Sequence, residues 1–174
     1  KIAYDNFTDP LDSLYMTIGT GVISDNVTHN NIFNMKTMAE GGGCFTGDTR
    51  ILMADGSNKA IKDIVRGDKV LTKKHELSGE FVSAEVTNTV SHFVSEYLVV
   101  NENLEVTDVH TVFVNGAWDT AGNLKIGDVM LGKNGEEINV YSIRRVSEPI
   151  WVYNFEVAGY HTYFANDYYV HNDK

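Results

Sequence analysis

The sequence predicts an all-β domain built from two related halves. Two observations point there. From residue 49 onward, Val, Ile, Thr and aromatic residues fall in short, partly alternating runs separated by Gly, Asn and Asp turn pairs. A shift of 60 residues then lays Asp48 on Asp108, Gly56 on Gly116, Gly67 on Gly127, Asp68 on Asp128 and Leu71 on Leu131 without a gap. Similar pairs support these five: Asp55 with Asn115, Ile64 with Leu124, and Val70 with Met130. Turn residues that repeat in register imply hairpins that repeat in register. Two β-subdomains with approximate two-fold symmetry are expected, an arrangement in which both chain ends can meet near one centre.

Residues 1–43 differ from the rest. They are rich in Asn, Thr, Asp and Gly and end in Gly41-Gly42-Gly43. Asp9 is a cap candidate for a short helix with Pro10 at its first position and Leu11, Leu14 and Tyr15 on one face. That is too little apolar surface to fold alone, so the segment reads as the end of a host protein joined to a domain that starts at Cys44. The elements follow in order. Residues 49–53 form a strand closed by the Asp55-Gly56 turn. Ile61, Ile64 and Val65 suggest one helical turn before Gly67-Asp68. Residues 69–72 are the next strand and 73–80 a short polar loop, with Lys73-Lys74 in solvent. Residues 81–100 read as a long, bent or paired strand, and 104–114 as another, closed by Asn115-Gly116. Strands at 138–146, 150–157, 160–164 and 168–170 complete the chain. The aromatic residues between Trp151 and Tyr169 read as core packing.

The chain has 174 residues, two prolines and 43% hydrophobic content, enough for one sizeable core. A net charge of −10 without a basic cluster argues against nucleic acid or an anionic membrane as partner. No apolar run approaches the ~20 residues that span a bilayer. The opening Lys1-Ile2-Ala3-Tyr4-Asp5 does not read as a signal peptide. Location is expected to follow the host protein.

Cys44 is the only cysteine, which excludes an internal disulfide. It is either a small inert thiol or a nucleophile. The glycines favour the second, because Gly43 leaves its carbonyl unshielded beside the thiol of the next residue. At the other end stand His161-Thr162-Tyr163 and Val170-His171-Asn172, and in the middle Thr107-Asp108-Val109-His110. His29, His75 and His92 read as ordinary surface or core histidines. Cys44 with His110, His161 and His171 contains zinc-ligand types but no close ligand pair, so no metal is expected.

These motifs carry a resemblance. Cys44-Phe45-Thr46-Gly47-Asp48-Thr49 is similar to the intein N-terminal motif, and Thr107-Asp108-Val109-His110 to its Thr-x-x-His motif. Tyr153-Asn154-Phe155-Glu156-Val157 with His161-Thr162-Tyr163 resembles the motif before the C-terminus, and Val170-His171-Asn172 the terminus itself. Residues 44–172 thus resemble the Hint superfamily of inteins and Hedgehog proteins. The likeness is greatest to bacterial intein-like domains and mini-inteins, since Hedgehog-type domains lack the terminal His-Asn. The resemblance implies a horseshoe-like Hint fold, no cofactor and a monomer that acts once on its own flanks. It also implies site roles. Cys44 attacks the Gly43 carbonyl in an N-to-S acyl shift, Thr107 holds the scissile region, and His110 protonates the leaving nitrogen. Asn172 cyclises to a succinimide, helped by His171 and His161, with cleavage before Asp173. Many inteins carry Asp where Asn154 stands, and a neutral amide hydrogen-bonds without acting as a base. Splicing inteins are followed by Cys, Ser or Thr. Asp173 is none of these, so cleavage is expected to dominate ligation. From the residues alone a cysteine hydrolase acting in trans, or an inactive structural module of the same fold, also stays open.

Overall fold

Short runs of β-branched and aromatic residues, each ended by a turn pair, fold here as two antiparallel sheets. The structure is a computed structural model and describes residues 42–172. The short helix expected after Asp9 and the residue Asp173 lie outside the described residues. Fifteen strands occur among those described. In the first half these are β1 (Phe45–Thr46), β2 (Arg50–Leu52), β3 (Asn58–Ala60), β4 (Lys69–Lys73), β5 (Phe81–Val94), β6 (Tyr97–Val100) and β7 (Leu104–Val106). In the second they are β8 (Thr111–Val114), β9 (Ala117–Thr120), β10 (Val129–Leu131), β11 (Glu137–Asn139), β12 (Ile143–Val146), β13 (Ile150–Val157), β14 (Thr162–Ala165) and β15 (Tyr168–His171). One sheet runs β12-β6-β7-β1-β13-β5-β4. The other runs β11-β10-β8-β15-β14-β2-β3, with β9 paired to β8.

The 60-residue repeat is realised as two matching turns. Single 3-10 turns occupy Ile61–Asp63 and Ala121–Asn123. The Asp68 carboxylate accepts the Val65 N–H, and the Asp128 carboxylate accepts that of Lys125. Gly67 N–H donates to Val86 O at 2.9 Å and Gly127 N–H to Val140 O at 2.8 Å. Both glycines sit at positive φ, +92° and +95°, which explains why this residue recurs at both places. Asn115 and Gly116 are both left-handed, as a two-residue hairpin turn matching strand twist requires.

Three elements differ from the sequence reading. The run 81–100 divides at Ser95-Glu96 into β5 and β6. The run 104–114 is not one strand: Thr107 to His110 turns out of the ladder between β7 and β8. Its backbone groups are taken up by the turn itself and by the following 3-10 turn, Gly122 N–H donating to Asp108 O and Ala121 N–H to His110 O. Lys73 is not solvated. It ends β4, is buried, and holds its ammonium 5.8 Å from the centre of the Tyr169 ring, whereas Lys74 is exposed and pairs with Glu80.

The main core gathers Phe45, Ile51, Val70, Val86, Leu104, Val112, Met130, Phe155, Tyr163 and Val170 from both sheets and both halves. A second cluster holds Leu52, Phe113, Phe164 and Tyr169. Burying each large side chain contributes on the order of 1.5–3 kcal/mol. Tyr163, Phe164 and Tyr169 are therefore core, as their density suggests, but Trp151 and Tyr160 stay exposed at 50% and 39%.

Candidate active site

Gly43 and Cys44 enter the fold immediately before β1, which is sandwiched between β7 and β13. Being central, this segment exposes no free edge. Its polar groups are matched by residues that continue the neighbouring strands. Cys44 N–H donates to Thr107 Oγ1 at 2.8 Å, and Thr107 N–H donates to Cys44 O at 2.9 Å. Thr107 thereby holds Cys44 on both sides of its α-carbon.

On the β13 side stands Asn154. Its Nδ2 donates to the Gly43 carbonyl oxygen at 2.6 Å. The orientation of this amide is dictated by its other end, since Oδ1 accepts the Phe155 N–H and the Tyr163 hydroxyl, both at 2.8 Å. Rotating the amide would set Nδ2 against two donors, so a donor always faces Gly43. Tyr163 is fully buried, and that burial pushes its phenol well above the usual range, keeping it a hydrogen-bond donor.

His110 is fully buried, with its ring 4.2 Å from that of Phe45 and 6.5 Å from that of Tyr163. It packs so closely on Gly43 that a Cβ there would overlap the Cα and Cβ of His110. Position 43 must therefore be glycine for the chain to lie in this groove.

The Cys44 thiol is buried, which pushes its pKa from 9.0 up to about 12. It is a neutral thiol at neutral pH. The side-chain nitrogen against it belongs to a residue outside the expected set: His92 Nδ1 lies 3.7 Å from Cys44 Sγ. The Gly42 carbonyl oxygen lies at 3.8 Å. Partial burial holds the His92 imidazole below its usual pKa, so it is neutral. The alternation of β5 contains the missing signal. Val90, His92 and Val94 are half-buried while Ser91 and Phe93 point outward, so the imidazole is on the inner face.

The other chain end arrives through β15. His171 pairs with Thr162 of β14 and with Thr111 of β8, the residue directly after His110. Asn172 follows, nearly buried, with its N–H donating to His161 O at 2.8 Å. His161 adopts left-handed backbone, φ 55°, at the start of β14, and its ring centre lies 6.2 Å from that of His171. Among the described residues, Asn172 Oδ1 and His161 Nδ1 are buried without a partner. Trp118 packs on His171 at 5.3 Å and donates its Nε1–H to Glu76 at 3.0 Å, a bond that holds the Glu76 carboxyl below its usual range. Thus Thr107, His110 and Asn154 each touch Gly43 or Cys44, and His161, His171 and Asn172 gather where β15 pairs with Thr111, the residue after His110. Among the described residues no group of three or more His, Cys, Asp or Glu side chains is arranged to hold a metal ion.

Comparison with known proteins bears on the family and the fold. A family model described as the pretoxin HINT domain matches residues 50–173. A curated relative, the Tiggy-winkle hedgehog protein of Danio rerio, is 32% identical over 106 residues, 53% of this chain and 26% of the relative. The chain thus spans about a quarter of that relative's length. The solved bacterial intein-like domain from Clostridium thermocellum superposes with a TM-score of 0.68 at 31% identity, covering 74% of this chain and 98% of that one. The gp41-1 intein (TM-score 0.63, 23% identity, 75% and 99% covered) and the Ssp DnaB mini-intein variant M86 (0.65, 19%, 77% and 96%) share the fold.

Proposed function

This chain belongs to the pretoxin Hint domain family, and on that premise we propose that it processes itself at both ends. The Cys44 thiol converts the Gly43–Cys44 amide to a thioester, and Asn172 cyclises and cleaves the bond to Asp173. The flanks are residues 1–43 and whatever follows Asn172, and the domain acts on them once. By the family's name, the freed flank would belong to a toxin precursor.

One observation carries this reading: Asn154 Nδ2 on the Gly43 carbonyl oxygen at 2.6 Å, with the next residue's N–H held by Thr107. A donor already in place where negative charge develops stabilises the tetrahedral oxyanion without reorganisation. Attack by Sγ on that carbon makes the oxyanion, and collapse expels the Cys44 nitrogen. His110, packed on Gly43, protonates it. At the other end the Asn172 carboxamide nitrogen attacks its own main-chain carbonyl, His161 polarises the side chain, and His171 protonates the departing amine. Asp173 has no thiol or hydroxyl to take the acyl group, so cleavage dominates ligation.

Intact mass of freshly prepared chain, incubated with an added thiol, tests the reading. Residues 1–43 should leave as the thiol's thioester or its hydrolysis product. The domain should lose Asp173-Lys174 and end in a succinimide, lighter by one water than a hydrolysed end. An unchanged mass would mean an inactive module of the same fold.

Two variants probe the scissile bond. Asn154→Asp puts an ionised acceptor against the carbonyl oxygen. Thiol-induced release should slow by ~10²–10³-fold at neutral pH, the cost of losing one oxyanion donor. The deficit relative to the parent at the same pH should shrink in acid, where the carboxyl regains its proton. Gly43→Ala must push the chain off His110, and a misplacement of about 1 Å costs ~10²-fold. An unaltered rate in Gly43→Ala would show that the close approach has no part in the reaction.

A further inference from the structure

The Cys44 thiol must lose its proton as it attacks, and none of the roles above removes it. Thr107 engages the backbone of Cys44, Asn154 the carbonyl of Gly43, and His110, packed on Gly43, is assigned above to the leaving nitrogen. We propose that His92 is the general base of the acyl shift, accepting the Cys44 thiol proton on Nδ1. The proposal rests on the N-terminal half of the reading above and adds to it a catalytic residue from a strand that carries none of the recognisable motifs.

The sheet brings the two together. Strand β5 pairs with β13 so that His92 faces Val152 and Val90 faces Asn154. Strand β13 pairs with β1 so that Val152 faces Thr46 and Tyr153 faces Phe45. Thr46, Val152 and His92 thus form one row on a single face. The next row on that face contains Val90 and Asn154 and runs on to Cys44. In this arrangement Nδ1 reaches 3.7 Å from Sγ, within range for a sulfur donor that tightens in the reacting complex.

Both groups begin neutral, as a base and its acid must. Burial alone depresses the imidazole, and no charged neighbour contributes to that shift. Directly across from His92 in β13 is the uncharged Val152, and against its Nδ1 lies Cys44, while Trp151 alternates to the opposite face with Phe93. Nδ1 is an acceptor when the proton sits on Nε2.

The step balances as follows. The Sγ–H bond breaks, its electron pair forms the bond to the Gly43 carbon, and the proton passes to Nδ1. The carbonyl π pair moves to the oxygen, which holds the Asn154 hydrogen bond. Collapse restores the carbonyl and breaks the C–N bond. The Cys44 nitrogen gains one proton, in net terms the one the thiol gave up, and His92 returns to neutral. No oxidant or co-reactant is required.

The test follows thiol-induced release of residues 1–43 by intact mass in the full chain and in His92→Ala and His92→Asn. Release should fall by ~10²-fold or more in both variants, the usual scale for one acid–base group. Added imidazole should restore part of the rate in His92→Ala, whose partly exposed site lets the ring enter, and not in His92→Asn. Loss of Asp173-Lys174 in the same molecules reports on fold integrity and should keep its rate. Release at the parent rate in either variant, or slowing of both ends together without imidazole rescue, overturns the base. No thiol-dependent release from the parent chain overturns the acyl shift itself, a distinct result.

Discussion

Cys44→Ala is expected to abolish thiol-induced release of residues 1–43 while leaving the domain folded. The chain contains no second thiol. Without Sγ the Gly43–Cys44 bond is an ordinary amide, open only to water, and the oxyanion donor of Asn154 has no nucleophile to serve. The substitution removes one buried heavy atom, which costs about 1 kcal/mol. It leaves the backbone bonds to Thr107 untouched. Release measured by intact mass, beside a denaturant titration of the same protein, separates lost chemistry from lost fold. A second readout follows from the buried thiol. Its pKa rises from 9.0 to about 12 on folding. The native state therefore holds the proton more tightly than the unfolded chain. The corresponding stability is fully present below pH 9 and is lost as pH rises towards 12. The parent should lose stability over this alkaline window, and Cys44→Ala should lack that loss. Fragment release from Cys44→Ala at the parent rate would rule out the thioester.

Asn172→Ala should be equally absolute at the other end, preventing loss of Asp173-Lys174 while residues 1–43 still leave with thiol. In the proposed second cleavage the carboxamide nitrogen is the nucleophile, and alanine has none. The main-chain bond from Asn172 N–H to His161 O survives the substitution, so the strand end stays in place. His171→Ala should slow the same step by ~10²-fold, because a departing amine without a proton donor is a poor leaving group. Both are read as the mass of the C-terminal peptide over time. A cleaved product without the one-water deficit would point to hydrolysis by a contaminating protease.

Much of the architecture was legible because its determinants are local. Asn115-Gly116 marks a hairpin through the φ values that it alone tolerates, and Gly67 and Gly127 mark matching turns for the same reason. A 60-residue shift needs no knowledge of contacts, and the paired Asp68 and Asp128 caps show how literally it is obeyed. The break at Thr107 to His110 was not legible. Val106 and Thr111 are both good strand residues, and the turn exists because Thr107 meets Cys44, 63 residues away.

The site divides along the same line. By itself, the sequence determined the candidate groups: one thiol behind three glycines, a His-Asn pair at 171–172, and a Thr and His three residues apart. Their identities are covalent facts and their spacing is local. The tertiary structure decided which groups face the scissile carbonyl. Asn154 turns its N–H to the Gly43 carbonyl because Phe155 N–H and the buried Tyr163 hydroxyl hold the other end of its amide. His92 lies against the thiol because the registers of β5 on β13 and β13 on β1 align distant residues across three strands. A strand's side-chain period is two, so slipping either register by one residue would turn His92 to the opposite face. That choice is made by the packing of the whole sheet against its core, and no stretch of sequence contains it.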